Sequence, residues 1–172
     1  MGTARISRFV LPFQVAAVCY RRRGPALEFL LVQTNGGGKW TFPKGAPETA
    51  MSHSRAAEQE AWEEAGARGS IESRHFHLYL HSKGVFWKPP GVQEFVVKAF
   101  LMEVESVAAP MEETRNPTWF QPGAARKILA KGREVKYARE IQTVIDRALE
   151  RIHPGNHLGS RAASSARRAA QP

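Results

Sequence analysis

The sequence predicts an α/β fold in which a mixed sheet lies between helices, and three observations carry that expectation. Apolar and β-branched runs at residues 13–20 (FQVAAVCY), 27–34 (LEFLLVQT) and 92–104 (VQEFVVKAFLMEV) have the length and composition of buried strands. An Ala-rich helical segment follows a third, short strand at residues 40–42 and stops at Gly66. Residues 134–152 place Val135, Ala138, Ile141, Ile145, Ala148 and Ile152 on approximately one stripe of a final helix.

In chain order, the segment from Arg5 through residue 18 resembles the basic and apolar parts of an export signal, but Pro12 and Gln14 interrupt it and Val18 is a poor cleavage residue. A first strand is the better reading. Residues 21–25 turn the chain into the second strand, and Asn35, Gly36, Gly37 and Gly38 form a loop that can take positive φ. That triple glycine lacks phosphate-loop spacing. Residues 40–42 then deliver Pro43, Lys44 and Gly45 to the helix, where Ser52 or Ser54 can serve as the N-cap.

This helix carries the strongest chemical signal. At about 100° per residue, Glu60 and Glu64 lie about 40° apart with Glu63 about 60° to the other side, so the three share one arc while Glu58 points away. Like charges four residues apart destabilise a helix by a few tenths of a kcal/mol, and acids near its C-terminal end oppose the macrodipole. A hard divalent cation such as Mg²⁺ or Mn²⁺ would offset both effects and could bridge to phosphate oxygens. A solvated acidic face is the plainer alternative. Ala57 and Ala61, with Trp62 or Ala65, are expected to face the core. Lys44 immediately precedes the acids, where a metal-held phosphate needs a second cation; its alternative is ordinary solvation.

Farther on, residues 74–84 alternate, with Phe76, Leu78 and Leu80 on one face and His75, His77, Tyr79 and His81 on the other, which predicts a half-exposed strand. The three histidines raise a zinc reading, against phosphate contact or solvent, but no complementary ligand set is evident. Phe86 and Trp87 near Lys88 could stack on a nucleobase or plug the core edge. The strand at residues 92–104 turns Phe95, Val97, Ala99 and Leu101 to one face; Glu94 reads as a surface acid. A loop at residues 105–117 carries Glu112, Glu113 and Arg115, and residues 122–130 form a short helix opened by Pro122.

The chain has 172 residues, fitting one domain at residues 1–153 with a basic tail at 154–172 expected to be disordered. Net charge is +9, and because the tail contributes Arg161, Arg167 and Arg168 but no acid, residues 1–153 still carry +6. A basic body favours anionic ligands, polyphosphates and RNA alike. The single cysteine, Cys19, excludes an intramolecular disulfide and a cysteine zinc cluster, and suggests a reducing, cytoplasmic setting. No apolar run approaches the ~20 residues that span a bilayer.

Residues 45–67, GAPETAMSHSRAAEQEAWEEAGA, resemble the Nudix box, G-x5-E-x7-R-E-U-x-E-E-x-G-U, where U is a bulky aliphatic residue. Gly45, Glu60, Glu63, Glu64 and Gly66 fall on the pattern, and Trp40, Phe42, Pro43 and Lys44 resemble its lead-in. Met51 stands where the pattern has Glu and Gln59 where it has Arg, while Ala61 and Ala67 are small for U. The resemblance covers roughly residues 13–152 and implies a Nudix-type α/β/α sandwich. It also implies Mg²⁺-dependent (or Mn²⁺-dependent) hydrolysis of a pyrophosphate bond, with Gly45, Glu60, Glu63 and Glu64 at the metal. Glu64 or Glu113 would take a proton, making Glu63, Glu64 and Glu113 the expected catalytic set, with Glu112 in reserve for Glu113. Lys44, Trp87 and Lys88 would touch substrate.

The lead-in is similar to that of dinucleoside polyphosphate and diphosphoinositol polyphosphate hydrolases, so a small polyphosphate is the expected partner rather than nucleic acid or a membrane. A nucleotide-sugar or nucleoside triphosphate pyrophosphatase is one alternative. A non-hydrolytic nucleotide-binding regulator is the other.

Overall fold

The computed structural model describes residues 11–36, 38–84 and 91–153. Trp87, Lys88 and the tail at 154–172 lie outside the described residues. The elements run β1 (Phe13–Arg23), β2 (Ala26–Gln33), β3 (Trp40–Thr41), β4 (Lys44–Gly45), α1 (His53–Ala65), β5 (Ala67–Ile71), β6 (His77–Gly84), β7 (Val92–Val107), β8 (Thr118–Phe120), α2 (Pro122–Ala130) and α3 (Val135–Ile152). A 3-10 turn at Glu113–Arg115 precedes β8.

The sheet is mixed. β1 and β7 run parallel in its centre, pairing Phe13 with Val96 through Tyr20 with Glu103, while the other described pairings are antiparallel. Both central strands are buried on both faces, which is why their sequences are nearly continuous apolar runs rather than alternating ones. Ala16, Val18, Val97, Ala99 and Leu101 meet Leu129, Ile141 and Ile145 from α2 and α3. Val15, Ala17, Phe100 and Met102 meet Ala57, Ala61 and Ala65 of α1 on the other side. The result is the expected α/β/α sandwich, with α1 lying close to the sheet because alanines line its inner side. Among the described residues, no helix is long and apolar enough to cross a membrane.

Three local expectations change. Leu78 is 47% exposed and Tyr79 only 2%, so the histidine-bearing face of β6 turns inward. The reason is α3, which packs against β6: Tyr79 joins Ile141 and Ile145 in one core, and Glu140 accepts from the Leu80 N–H at 2.9 Å. On α3, Val135 is 66% exposed at the first turn, and Val144 takes a buried place instead. β5, absent from the strand assignment above, pairs with β7 through a register shift at Arg68/Gly69; its length and small residues hid it.

Candidate functional site

Ser52 caps α1, its hydroxyl accepting from the Arg55 N–H at 3.4 Å, and Gly66 closes the helix in the left-handed conformation at φ 63°. A Cβ at Gly66 would fall 2.0 Å from the Ala108 carbonyl oxygen, so the stop signal is also a steric requirement of this chain crossing. Between these ends, α1 holds Glu60, Glu63 and Glu64 in three different surroundings.

Glu64 is buried, 2% exposed. Its Oε1 meets Arg115 Nη2 at 2.5 Å, and its Oε2 accepts from the Lys44 backbone N–H at 3.2 Å. Arg115 meets two further acceptors, Glu112 Oε2 at 2.5 Å and the Gln33 carbonyl at 3.4 Å. A planar guanidinium suits such a three-way clamp. The 3-10 turn bearing it is tied to the second strand's end by Thr114 to Asn35 at 3.1 Å. It is tied to α1 by the Glu112 N–H donating to the Glu63 carbonyl at 3.1 Å. Glu63 itself accepts from the Gln59 amide at 2.8 Å.

Glu60 lies against Gly45, where an added Cβ would stand 1.9 Å from its Oε1. Only glycine admits the carboxylate this close to β4. Burial raises the Glu60 carboxyl, with repulsion from Glu64, Glu63 and Glu112 adding to it, to about 7. Glu64 is likewise pushed up to about 7, chiefly by burial, with Arg115 and Lys44 opposing the rise. Lys44 is brought down to about 8 by burial, against the pull of Glu64.

Glu60 therefore meets the repulsion from Glu64 and Glu63 that a divalent cation on this face would relieve. The donors are hard oxygens, and the Gly45 cradle keeps room for the Glu60 carboxylate; both features fit Mg²⁺ or Mn²⁺. Among the described residues, no three His, Cys, Asp or Glu side chains are already drawn into a closed ligand set, acidic or histidine-based. Glu60, Glu63 and Glu64 are the oxygen donors on this face that could turn toward such an ion. Among the described residues, His75, His77 and His81 are not gathered into a group that could hold a metal ion.

The loop acid beside this face is Glu112 rather than Glu113. Glu113 is exposed, because the 3-10 turn points successive side chains apart and gives Arg115 to the site together with Glu112. Sequence spacing left Arg115 unassigned; its signal was a basic residue in the same loop as the expected acid. Besides Lys44, further cations near this site were left unassigned by the sequence. Burial and then the charges of Lys44, Arg133, Lys83 and Lys39 hold His81 down to about 3. Arg133 donates to the Trp40 carbonyl at 2.8 Å, and Lys39 Cε lies 3.5 Å from where a Gly132 Cβ would stand. This concentration of positive charge is drawn from four separate segments, which is why no sequence run announced it. Glu94 is a surface acid, held by Lys136 at 2.7 Å and Tyr137 at 2.6 Å.

Comparison with known proteins now bears on this site. The sequence model of the NUDIX domain matches residues 11–141. A curated relative, Nudix hydrolase 16, mitochondrial, of Arabidopsis thaliana is 29% identical over 98 residues, covering 56% of this chain and 54% of its own. The chain thus spans about half the length of that relative. Among solved structures, a binary complex of the C. elegans Ap4A hydrolase is similar with a TM-score of 0.61 at 18% identity, covering 84% of this chain and 99% of that one. The NUDIX domain of Shewanella oneidensis NrtR complexed with ADP ribose gives 0.57 at 17% identity, covering 83% and 89%. Those two structural likenesses concern the fold alone, whereas the domain match takes in most of the sequence, and by it this chain belongs to the NUDIX family.

Proposed function

We propose that this protein hydrolyses a pyrophosphate bond in a polyphosphorylated small molecule, with a dinucleoside polyphosphate or diphosphoinositol polyphosphate favoured and Mg²⁺ as the activating ion. The observation that carries the proposal is the acid face of α1, with Glu64 clamped between Arg115 and the Lys44 backbone and Glu60 cradled at Gly45. A bound divalent ion would offset phosphate charge and lower the pKa of an attacking water.

The chain's own groups supply the rest. Glu60, Glu63 and Glu64 present oxygen donors from one rigid helix. Glu64, with both oxygens already engaged, serves position rather than proton transfer, which moves the base role from Glu64 and Glu113 toward Glu112. That carboxylate is 39% exposed and fixed by Arg115 through one oxygen. Lys44, with Lys39, Lys83 and Arg133 nearby, supplies cationic charge for a highly anionic substrate. The similarity to a C. elegans Ap4A hydrolase structure supports the dinucleoside polyphosphate reading.

A nucleotide-binding regulator without turnover is the second reading. Met51 and Gln59, which depart from the Nudix box, motivate it, as does the similarity to the NrtR domain complexed with ADP ribose. A panel of dinucleoside polyphosphates, inositol pyrophosphates, nucleotide sugars and nucleoside triphosphates, assayed for product and for binding with Mg²⁺ or Mn²⁺, separates the two. Product from a polyphosphate supports hydrolysis; binding with no product supports the regulator.

A further inference from the structure

A cavity of about 440 Å³ opens on the outer flank of α1, between that helix and β5. At about 100° per residue, Arg55, Glu58, Gln59 and Trp62 fall within an arc of roughly 100° centred nearly opposite Glu64. The cavity is therefore separate from the Glu60–Glu64 face, although Gln59 borders both. Its walls include Met51, Gln59, Trp62 and Ala67. The two positions at which the chain replaces a charged residue of the Nudix box thus line one cavity. Met51 puts a neutral, apolar side chain where the pattern would put a carboxylate, and Gln59 puts an uncharged amide where it would put a guanidinium.

The remaining charges are unequal in their partners. Arg55 is paired to Glu58 at 2.5 Å. Arg68 instead lies over the Trp62 ring, its guanidinium carbon 3.9 Å from the ring centroid, and among the described residues it has no carboxylate partner. A guanidinium held over an indole can still offer N–H groups to a bidentate acceptor, and the ring shields its near side from water. With Glu absent at Met51, no wall residue but the already paired Glu58 repels an anion there. The volume lies within the range of small-molecule sites, which combine an apolar lining with a few placed polar groups.

We infer that this cavity is a second ligand site, taking a small molecule with a carboxylate or phosphate head against Arg68 and a flat apolar body along Met51 and Trp62. The Gln59 amide, shared between this cavity wall and the Glu63 carboxylate, provides a direct path by which an occupant alters the acid face.

Phenyl phosphate and benzoate present the two head groups on one flat body. Each is titrated, without Mg²⁺, into the full chain with its tryptophan indoles ¹⁵N-labelled, the Trp62 signal being assigned with Trp62→Phe. The expected result is a saturable shift of the Trp62 signal by at least one of them. Arg68→Gln weakens that binding at least about tenfold, as loss of a charge-assisted hydrogen bond implies, and leaves pyrophosphatase turnover without the ligand within about twofold. Lys44→Gln leaves the shift in place, which distinguishes this cavity from the proposed hydrolytic site whether or not hydrolysis is observed. No saturable shift with either compound overturns the inference. So does a shift that persists in Arg68→Gln, or one that disappears in Lys44→Gln.

Discussion

Replacing Gly45 by Ala tests how the acid face is built. The new Cβ would stand 1.9 Å from Glu60 Oε1, 2.3 Å from its Cδ and 2.7 Å from Oε2. Since non-bonded heavy atoms settle near ~3.5 Å, the carboxylate must retreat by roughly 1.5 Å. The backbone need not, because Gly45 is not among the positive-φ glycines. An Ala there is worth about 0.4–1 kcal/mol through the unfolded state, or a few degrees in Tm at this chain length. A misplacement of about 1 Å at a reacting centre costs on the order of 10²-fold. Gly45→Ala should therefore leave Tm within a few degrees of the parent while kcat/KM for diadenosine tetraphosphate with Mg²⁺ falls about 100-fold. In a Glu60→Ala background the colliding atoms are gone, and Gly45→Ala should cost nothing further, the double-mutant signature of one shared contact. Activity within about threefold of the parent would refute the reasoning. A loss of more than about 2 kcal/mol in stability would also refute it, by showing that the backbone takes the strain.

Further predictions address the same face. Arg115→Met leaves Glu64 buried without its cation and should cost about 3–5 kcal/mol in urea unfolding at pH 8, whereas Arg115→Met with Glu64→Met should cost much less. Glu60 titrates higher folded than unfolded, so the stability linked to its protonation is full below its unfolded value and lost as pH rises through about 7. Glu60→Gln should accordingly melt higher than the parent at pH 8 without metal, with the gap closing by pH 4.5, and Mg²⁺ should raise the parent's Tm more than the variant's. His81 is shifted the other way: its contribution is present above its unfolded value near 6.5 and lost as pH falls toward about 3. The stability difference between parent and His81→Gln should shrink as pH falls from 7 to 5, by no more than about 1.4 kcal/mol per pH unit; a difference constant with pH would show that His81 titrates normally.

Residues whose roles are set by local chain geometry were legible in the sequence. Ser52 and Gly66 bound α1 because capping is a matter of a few adjacent residues, and helix periodicity alone put Glu60, Glu63 and Glu64 on one arc. What the sequence left open depends on partners from elsewhere. Which face of β6 is buried is decided by α3, so the alternation of Leu78 and Tyr79 could be read either way, and the apolar pair Leu78 and Leu80 pointed to the wrong face. Glu112 and Glu113 are neighbours in a loop, and only the 3-10 turn that ties Glu112 to Arg115 separates them. The cations near His81 come from positions 39, 44, 83 and 133, distances in sequence that no local motif spans. Met51 and Gln59 were visible as departures from a pattern; that both border one cavity required the packing of β5 beside α1.

The central claim is that the acids of α1 carry metal-dependent cleavage of a pyrophosphate bond. Its most direct test is turnover of diadenosine tetraphosphate and an inositol pyrophosphate by the parent and by Glu63→Gln, across a Mg²⁺ titration closed with chelator. The expected result is product formation that requires Mg²⁺, stops with chelator and falls at least about 100-fold in Glu63→Gln with the fold intact. Turnover indifferent to chelator, or unchanged in Glu63→Gln, would contradict it.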